Sequence, residues 1–273
     1  MRVAIPLLVL LALTACRVTE PDELDFSSWV QPVPRDGILM DSAWYTWGGS
    51  MVRGSDGRCY LFCARWPRSK GFRGWLEYSE IALATADNPT GPYHYMETVL
   101  TGRGDEYWDA TAAHNPHIKA FDGKFYLYYI SNHYQDLGMD AWHNRIYTQR
   151  IGVAIADDPS GPWQRLDKPV LDLQPGKAAH GYVVNPSVAE GPDGQYYMLI
   201  KTRPEGSEKE YGKVFTTIHA MATAPTPTGP FTIDDQPVFT EGTGEDPYLW
   251  VQDGRFYALV KDMYGEFTGE KSL

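Results

Sequence analysis

Hydrophobic positions along this chain come in short, aromatic-rich runs, and each run follows the same turn. Asp-Gly pairs stand at Asp56-Gly57, Asp122-Gly123, Asp193-Gly194 and Asp253-Gly254. The runs behind them read Cys59-Tyr60-Leu61-Phe62, Phe125-Tyr126-Leu127-Tyr128-Tyr129, Tyr196-Tyr197-Met198-Leu199-Ile200 and Phe256-Tyr257-Ala258-Leu259-Val260. An Asp-Gly pair between two such runs predicts a β-hairpin, because a tight turn needs positive φ and these residues tolerate it. A second motif keeps step with the first: Pro89-Thr90-Gly91-Pro92-Tyr93, Pro159-Ser160-Gly161-Pro162-Trp163 and Pro227-Thr228-Gly229-Pro230-Phe231. A further apolar run precedes each, at 81–85, 151–155 and 218–223. The Gly-Pro-aromatic turn therefore closes a third strand onto a fourth. One unit is two hairpins, a four-stranded antiparallel sheet.

The Asp-Gly pairs are separated by 66, 71 and 60 residues. A repeat of this length built from hairpins predicts an all-β fold, a β-propeller whose four-stranded antiparallel blades pack face to face. Two motifs in phase set it apart from a β-sandwich with unrelated turns. Three units are complete, and the fourth stops after Lys261-Asp262-Met263-Tyr264. About three and a half blades are expected, with almost no helix after residue 20. An open ring exposes strand edges, so the remaining blades are expected in a longer protein.

Residues 1–16 stand apart from the fold. A positive start, a brief apolar run and small residues before a cut describe an export signal, and the run is too short to span a bilayer. Leu13-Thr14-Ala15-Cys16 resembles a bacterial lipobox, which implies cleavage before Cys16 and a lipid on that cysteine; an ordinary signal peptide is the alternative. A bacterial cell-envelope protein in the outer membrane or periplasm, or a secreted one, is expected, touching membrane only through its anchor. Residues 17–36 read as a tether and residues 37–273 as the incomplete propeller. The formal net charge of −11 argues against nucleic acid, which requires a basic footprint. Of the 3 cysteines, Cys59 and Cys63 lie on one strand about 13 Å apart, beyond disulfide reach. They read as two buried thiols.

In a propeller the innermost strand of each blade starts at one end of a central funnel, and the loop joining the second and third strands returns to that end. The four openings are Trp47-Gly48-Gly49-Ser50-Met51, His114-Asn115-Pro116-His117-Ile118, Asn185-Pro186-Ser187-Val188 and Glu245-Asp246-Pro247-Tyr248-Leu249. With these openings, the Asp-Gly hairpins and the Gly-Pro-aromatic turns, residues 44–264 resemble the five-bladed propeller hydrolases of glycoside hydrolase family 43 and relatives such as the anhydrogalactosidases of family 117. The resemblance implies a trio of funnel carboxylates: a general base, a general acid and a third that tunes the acid. Glycosidic cleavage needs one carboxylate ionised and another protonated.

The chain departs from that pattern. Gly49-Ser50 stand where the family places its basic Asp, and Asn115 and Asn185 put amides where acids are expected. Only Glu245-Asp246 keep acids. Asp109, on the approach to the second opening, is the preferred base, with a loop-capping role as the alternative. Asp246 is the favoured funnel carboxylate and Glu245 a general-acid candidate, the two pointing to opposite sides of an extended strand. Asp109 and Asp246 are expected to converge. Glu190-Gly191-Pro192 imitates the family's acid motif, but Glu190 stands at the far end of its strand and reads as a solvated turn residue.

Sugar recognition falls to the residues around these acids. His114, Asn115 and Asn185 are candidates to bond sugar hydroxyls. His117, on the opposite face of its strand, is expected to pack between blades; the pair therefore cannot share a metal ion, and neither metal nor cofactor is expected. Arg65, Arg203 and Lys261 follow second strands and are expected to ring the mouth, where cations would suit a uronic or sulfated sugar. Aromatics make up 14% of the chain, with 9 Trp and 18 Tyr; Trp47, Trp66 and Trp108 are the expected sugar platforms. An exo-acting glycoside hydrolase trimming terminal sugars from plant or algal oligosaccharides is expected. The alternative is a non-catalytic glycan-binding propeller, for which the amides speak.

Overall fold

Four antiparallel sheets follow one another along the chain. The first contains β1 (Trp44–Arg53), β2 (Cys59–Pro67), β3 (Glu80–Ala86) and β4 (His94–Leu100) in sequential order. The second contains β5 (His114–Phe121), β6 (Lys124–Ser131), β7 (Arg150–Ala156) and β8 (Gln164–Arg165). The third contains β9 (His180–Glu190), β10 (Tyr196–Arg203), β11 (Ile218–Ala224) and β12 (Thr232–Ile233), and the fourth pairs β13 (Gly244–Gln252) with β14 (Arg255–Asp262). This computed structural model describes residues 32, 34–207, 217–239 and 244–265. Cys16, the whole signal segment and most of the tether lie outside the described residues.

The Asp-Gly pairs make the first hairpin of every blade. Asp122-Gly123 has φ of 48° and 76°, and Asp253-Gly254 has 52° and 72°, the double positive φ of a two-residue hairpin. The other two pairs sit in longer loops that the Asp side chain closes. Asp56 Oδ1 accepts the Arg58 N–H at 3.0 Å and Asp193 Oδ1 that of Gln195 at 3.1 Å, while Tyr60 and Tyr197 donate hydroxyls to the other oxygens at 3.0 and 2.8 Å.

The core lies between the sheets, as blade packing requires. Phe62, Ile81 and Leu83 of the first meet Ile118, Leu127 and Tyr129 of the second. Tyr128, Ile151 and Val153 of the second meet Val183, Val188 and Met198 of the third. Ala189 and Leu199 meet Leu249. Cys59 and Cys63 are buried, unbridged thiols, and Glu190 is exposed at the end of β9.

Inner strands are also joined by a repeated hydrogen bond. Ser50 Oγ accepts the Ile118 N–H at 3.0 Å, His117 Nε2 accepts that of Val188 at 2.9 Å, and Ser187 Oγ accepts that of Leu249 at 2.8 Å. Acceptor and donor hold the same places in successive openings, so two serines and a histidine perform one task. His117 therefore packs between blades, as expected.

Helix is more prominent than the sequence suggests. The loops joining second to third strands carry α1 (Trp75–Tyr78) in the first blade and α2 (Ala141–Tyr147) in the second. Asp140 caps α2, accepting the His143 N–H at 3.0 Å, which satisfies one of the amides a helix start leaves open.

Candidate active site

Each inner strand breaks its pairing at the opening, and the residue at each break is left-handed. Gly48, Asn115, Asn185 and Asp246 have φ of 61°, 47°, 52° and 49°, and the register slips at all four. Such a bulge adds one residue to the strand and re-aims its side chain. Asn and Asp are, after glycine, the residues that tolerate this backbone best. The amides that replace expected acids thus share a structural reason with Asp246.

The re-aimed side chains meet across the blades. Trp47 Nε1 donates to Asn115 Oδ1 at 3.1 Å, Asn115 Nδ2 to Asn185 Oδ1 at 3.0 Å, and Asn185 Nδ2 to Asp246 Oδ1 at 2.7 Å. His114 Nδ1 lies 3.0 Å from the same Asn115 oxygen. That oxygen is an acceptor, so Nδ1 carries the proton and Nε2 the lone pair.

This belt borders a cavity of about 620 Å³ with two unlike walls. One is aromatic: Trp47, Phe72, Trp75 and Trp142 line it. Trp75 lies 5.7 Å from Trp47 and 5.5 Å from Trp142, ring centre to ring centre. The other wall is charged, with Lys201, Glu245, Asp246 and Lys261. Lys201 Nζ donates to Glu245 Oε1 at 2.7 Å. Burial pulls the Lys201 ammonium down, but Glu245 foremost and Asp246 hold it above its ordinary value. Asp246 is open to the funnel, yet the protein closes round it. That dehydration is the main force pushing its carboxyl up; Lys201 opposes, Glu245 adds, and Lys261 opposes. Burial lowers His114 to about 4, keeping it neutral despite its Asn115 bond. Among the described residues no group of His, Cys, Asp and Glu is placed to hold a metal ion.

Residues 93–257, more than half of the chain, match the profile of glycosyl hydrolases family 43. The chain belongs to that family. Solved structures agree on the fold of this family 43 member. A family 117 glycoside hydrolase, Zg3597 of Zobellia galactanivorans, is 19% identical with a TM-score of 0.58, over 81% of this chain and 68% of that one. The GH43_1 enzyme of Xanthomonas citri, complexed with xylotriose, is 19% identical with a TM-score of 0.53, over 80% and 66%. A protein of unknown function from Dyadobacter fermentans is 12% identical with a TM-score of 0.60, over 82% and 64%. The chain thus spans about two thirds of the length of these proteins. No curated protein sequence matches it.

Of the residues expected at the site of this family 43 chain, Trp47, His114, Asn115, Asn185, Glu245, Asp246 and Lys261 do line one cavity. Five others do not. Asp109 is 0% exposed. Arg103 reaches its Oδ1 at 2.6 Å, while the Tyr129 hydroxyl and Arg165 reach its Oδ2 at 2.8 and 3.1 Å. Both oxygens are taken and water is excluded, so Asp109 is a structural anion rather than the base. Trp108 stacks on Tyr129 with ring centres 5.9 Å apart and packs against the core between the first two blades. Arg65 pairs with Glu80 at 2.7 Å and lies over the rings of Trp44 and Tyr95. Arg203 is 2% exposed and bonds the Tyr147 hydroxyl at 2.6 Å and Ser207. Both arginines still belong to strands, and their side chains follow the sheet faces instead of returning to the mouth. Trp66 is buried, edge-on to Trp47 at 5.2 Å, and supports that platform.

Glu245 and Asp246 correct a further expectation. Neighbours on a regular strand point to opposite sides, but the bulge at Asp246 breaks the alternation and both reach the cavity. Sequence reading missed Lys201, Trp75 and Trp142. Lys201 is in the same cationic run as Arg203 and pairs with Val184, next to the third opening. The two tryptophans left only a weak signal, large apolar rings in long polar loops.

Proposed function

We propose that this family 43 chain is an exo-acting glycoside hydrolase whose acid–base chemistry is carried by Asp246 and Glu245, on an oligosaccharide ending in an anionic sugar. The observation that carries this reading is that Asp246 and the Glu245–Lys201 ion pair share one cavity with an aromatic wall. Trp47, Trp75 and Trp142 offer faces for the apolar side of a sugar ring. His114 is 2% exposed with its Nε2 buried, so it orients Asn115 from behind rather than meeting the sugar. Lys201 and Lys261 meet a uronic carboxylate or a sulfate, and the carboxylates act at the glycosidic bond. A cavity bordered by a belt of side chains suits a chain end better than the middle of a polymer.

The test is to incubate the protein with plant and algal oligosaccharides ending in uronic, sulfated or neutral sugars. Release of single anionic sugars supports the reading, whereas internal fragments contradict exo action. Equal rates on uronic sugars and their methyl esters contradict the anionic preference. Glycine at the first opening and amides at the second and third favour a second reading, a glycan-binding propeller. It predicts oligosaccharide binding by calorimetry with no product. We further propose that Cys16 carries a lipid and places the protein in a bacterial cell envelope. Mass spectrometry of the native protein finding Met1 intact contradicts that.

A further inference from the structure

The belt of side chains at the four openings has one possible direction. An indole N–H only donates, so the Asn115 atom facing Trp47 at 3.1 Å is its oxygen, the same oxygen that His114 Nδ1 approaches. The Asn115 nitrogen therefore faces Asn185 and must meet an oxygen there, at 3.0 Å. The Asn185 nitrogen is left for Asp246 Oδ1, at 2.7 Å. Reversing either amide would set donor against donor or acceptor against acceptor. Gly48 has no side chain to place in the belt, and Trp47 fills that position from the residue before.

We infer that Trp47, Asn115 and Asn185 are positioning residues, a one-way hydrogen-bond relay through three blades that holds Asp246 Oδ1 as an acceptor and turns Oδ2 to the cavity. The inference rests on Asp246 being the working carboxylate of the proposed function. A donated N–H favours the charged form of a carboxylate. It therefore acts against the dehydration of the funnel and against Glu245 on the same strand. Lys201 of β10 and Lys261 of β14 also favour the charged form, and His219 of β11 stands behind Lys201, uncharged at neutral pH. Asn185 is in turn oriented by Asn115 and, through it, by Trp47, neither of which has a hydrogen bond to Asp246 among the described residues.

The test is a ¹³C NMR titration of the Asp246 carboxyl in the whole protein without substrate. Asn185→Gly and Asn115→Gly remove amides while keeping a residue that accepts the left-handed backbone. Asn185→Gly should raise the midpoint by about one pH unit, as expected for losing a hydrogen bond to a charged group. Asn115→Gly should raise it by a smaller amount in the same direction, although Asn115 makes no bond to Asp246. Trp47→Phe keeps the ring, loses the donor, and should give the smallest rise, because His114 still orients Asn115. It also provides the test if a glycine variant fails to fold. A midpoint that moves in Asn185→Gly and stays fixed in the other two overturns the relay, as does one that moves in none. The titration needs no turnover, so a protein that releases no sugar still tests the relay. Activity without these shifts overturns the relay alone.

Discussion

His117 joins the second and third blades only while its Nε2 keeps a lone pair for the Val188 N–H. Burial, with Lys119 adding to it, lowers this ring to about 3, and burial lowers His114 and His219 to about 4. The unfolded chain binds these protons nearer the ordinary histidine value of about 6.5. The stability they contribute is therefore complete above that pH and is lost as pH falls toward 4. Each histidine contributes a slope of about 1.4 kcal/mol per pH unit in that window. Urea unfolding between pH 7 and 4.5 should show uptake of close to three protons. In His117→Gln, whose amide oxygen can accept the same N–H, one of the three should vanish; an unchanged slope contradicts this account. The Asp109 site behaves differently. Asp109→Asn removes the buried carboxylate shared by Arg103 and Arg165, which are themselves partly exposed, and leaves Arg103 the exposed Asp167; losing these charged hydrogen bonds should cost about 1–3 kcal/mol.

At the scale of elements, the inner strands are held by acceptor side chains at one repeated position, two serines and a histidine. Ser187→Ala leaves the buried Leu249 N–H without its partner, at a cost of about 1–3 kcal/mol. Urea unfolding should show that loss with no change in denaturant slope. Blade hairpins were legible in the sequence because their causes are local: Asp-Gly for the turn, alternating aromatics for the strands. The bulges at Asn115, Asn185 and Asp246 were not, since a left-handed break is set by where the strand meets its neighbours round the axis. Without it, alternation sends Glu245 and Asp246 apart. The helices were hidden for a related reason. At four and seven residues, α1 and α2 are too short to show a helical period, and their tryptophans pack on Trp47 and on each other. Trp142→Ala should therefore raise KM several-fold with kcat nearly unchanged, because it removes a ring that lines the cavity and leaves the carboxylates in place. Equal loss in kcat would contradict a purely binding role.

For the molecule as a whole, the propeller arrangement gathered at one cavity seven of the twelve residues the sequence nominated, from all four blades. It failed for Asp109 because proximity to an opening does not specify which way a loop side chain turns. The Asp109 partners, Arg103 and Arg165, are 62 residues apart and give no local sign of an ion cluster. It failed for Arg65 and Arg203 because the second strands run on to Pro67 and Arg203 and keep these side chains on the sheet faces. What the fold brings together instead is Asp246, Glu245 and Lys201 across from Trp75 and Trp142. We propose that the chemistry belongs to this wall. It is tested most directly by measuring sugar release and melting temperature together for the wild type, Asp246→Asn and Asp109→Asn, on whichever oligosaccharide the wild type cleaves. Loss of turnover by at least about a hundredfold in Asp246→Asn at an unchanged melting temperature, with Asp109→Asn melting several degrees lower yet turning over normally below its transition, is the predicted result. An active Asp246→Asn, or a folded Asp109→Asn without turnover, would contradict it.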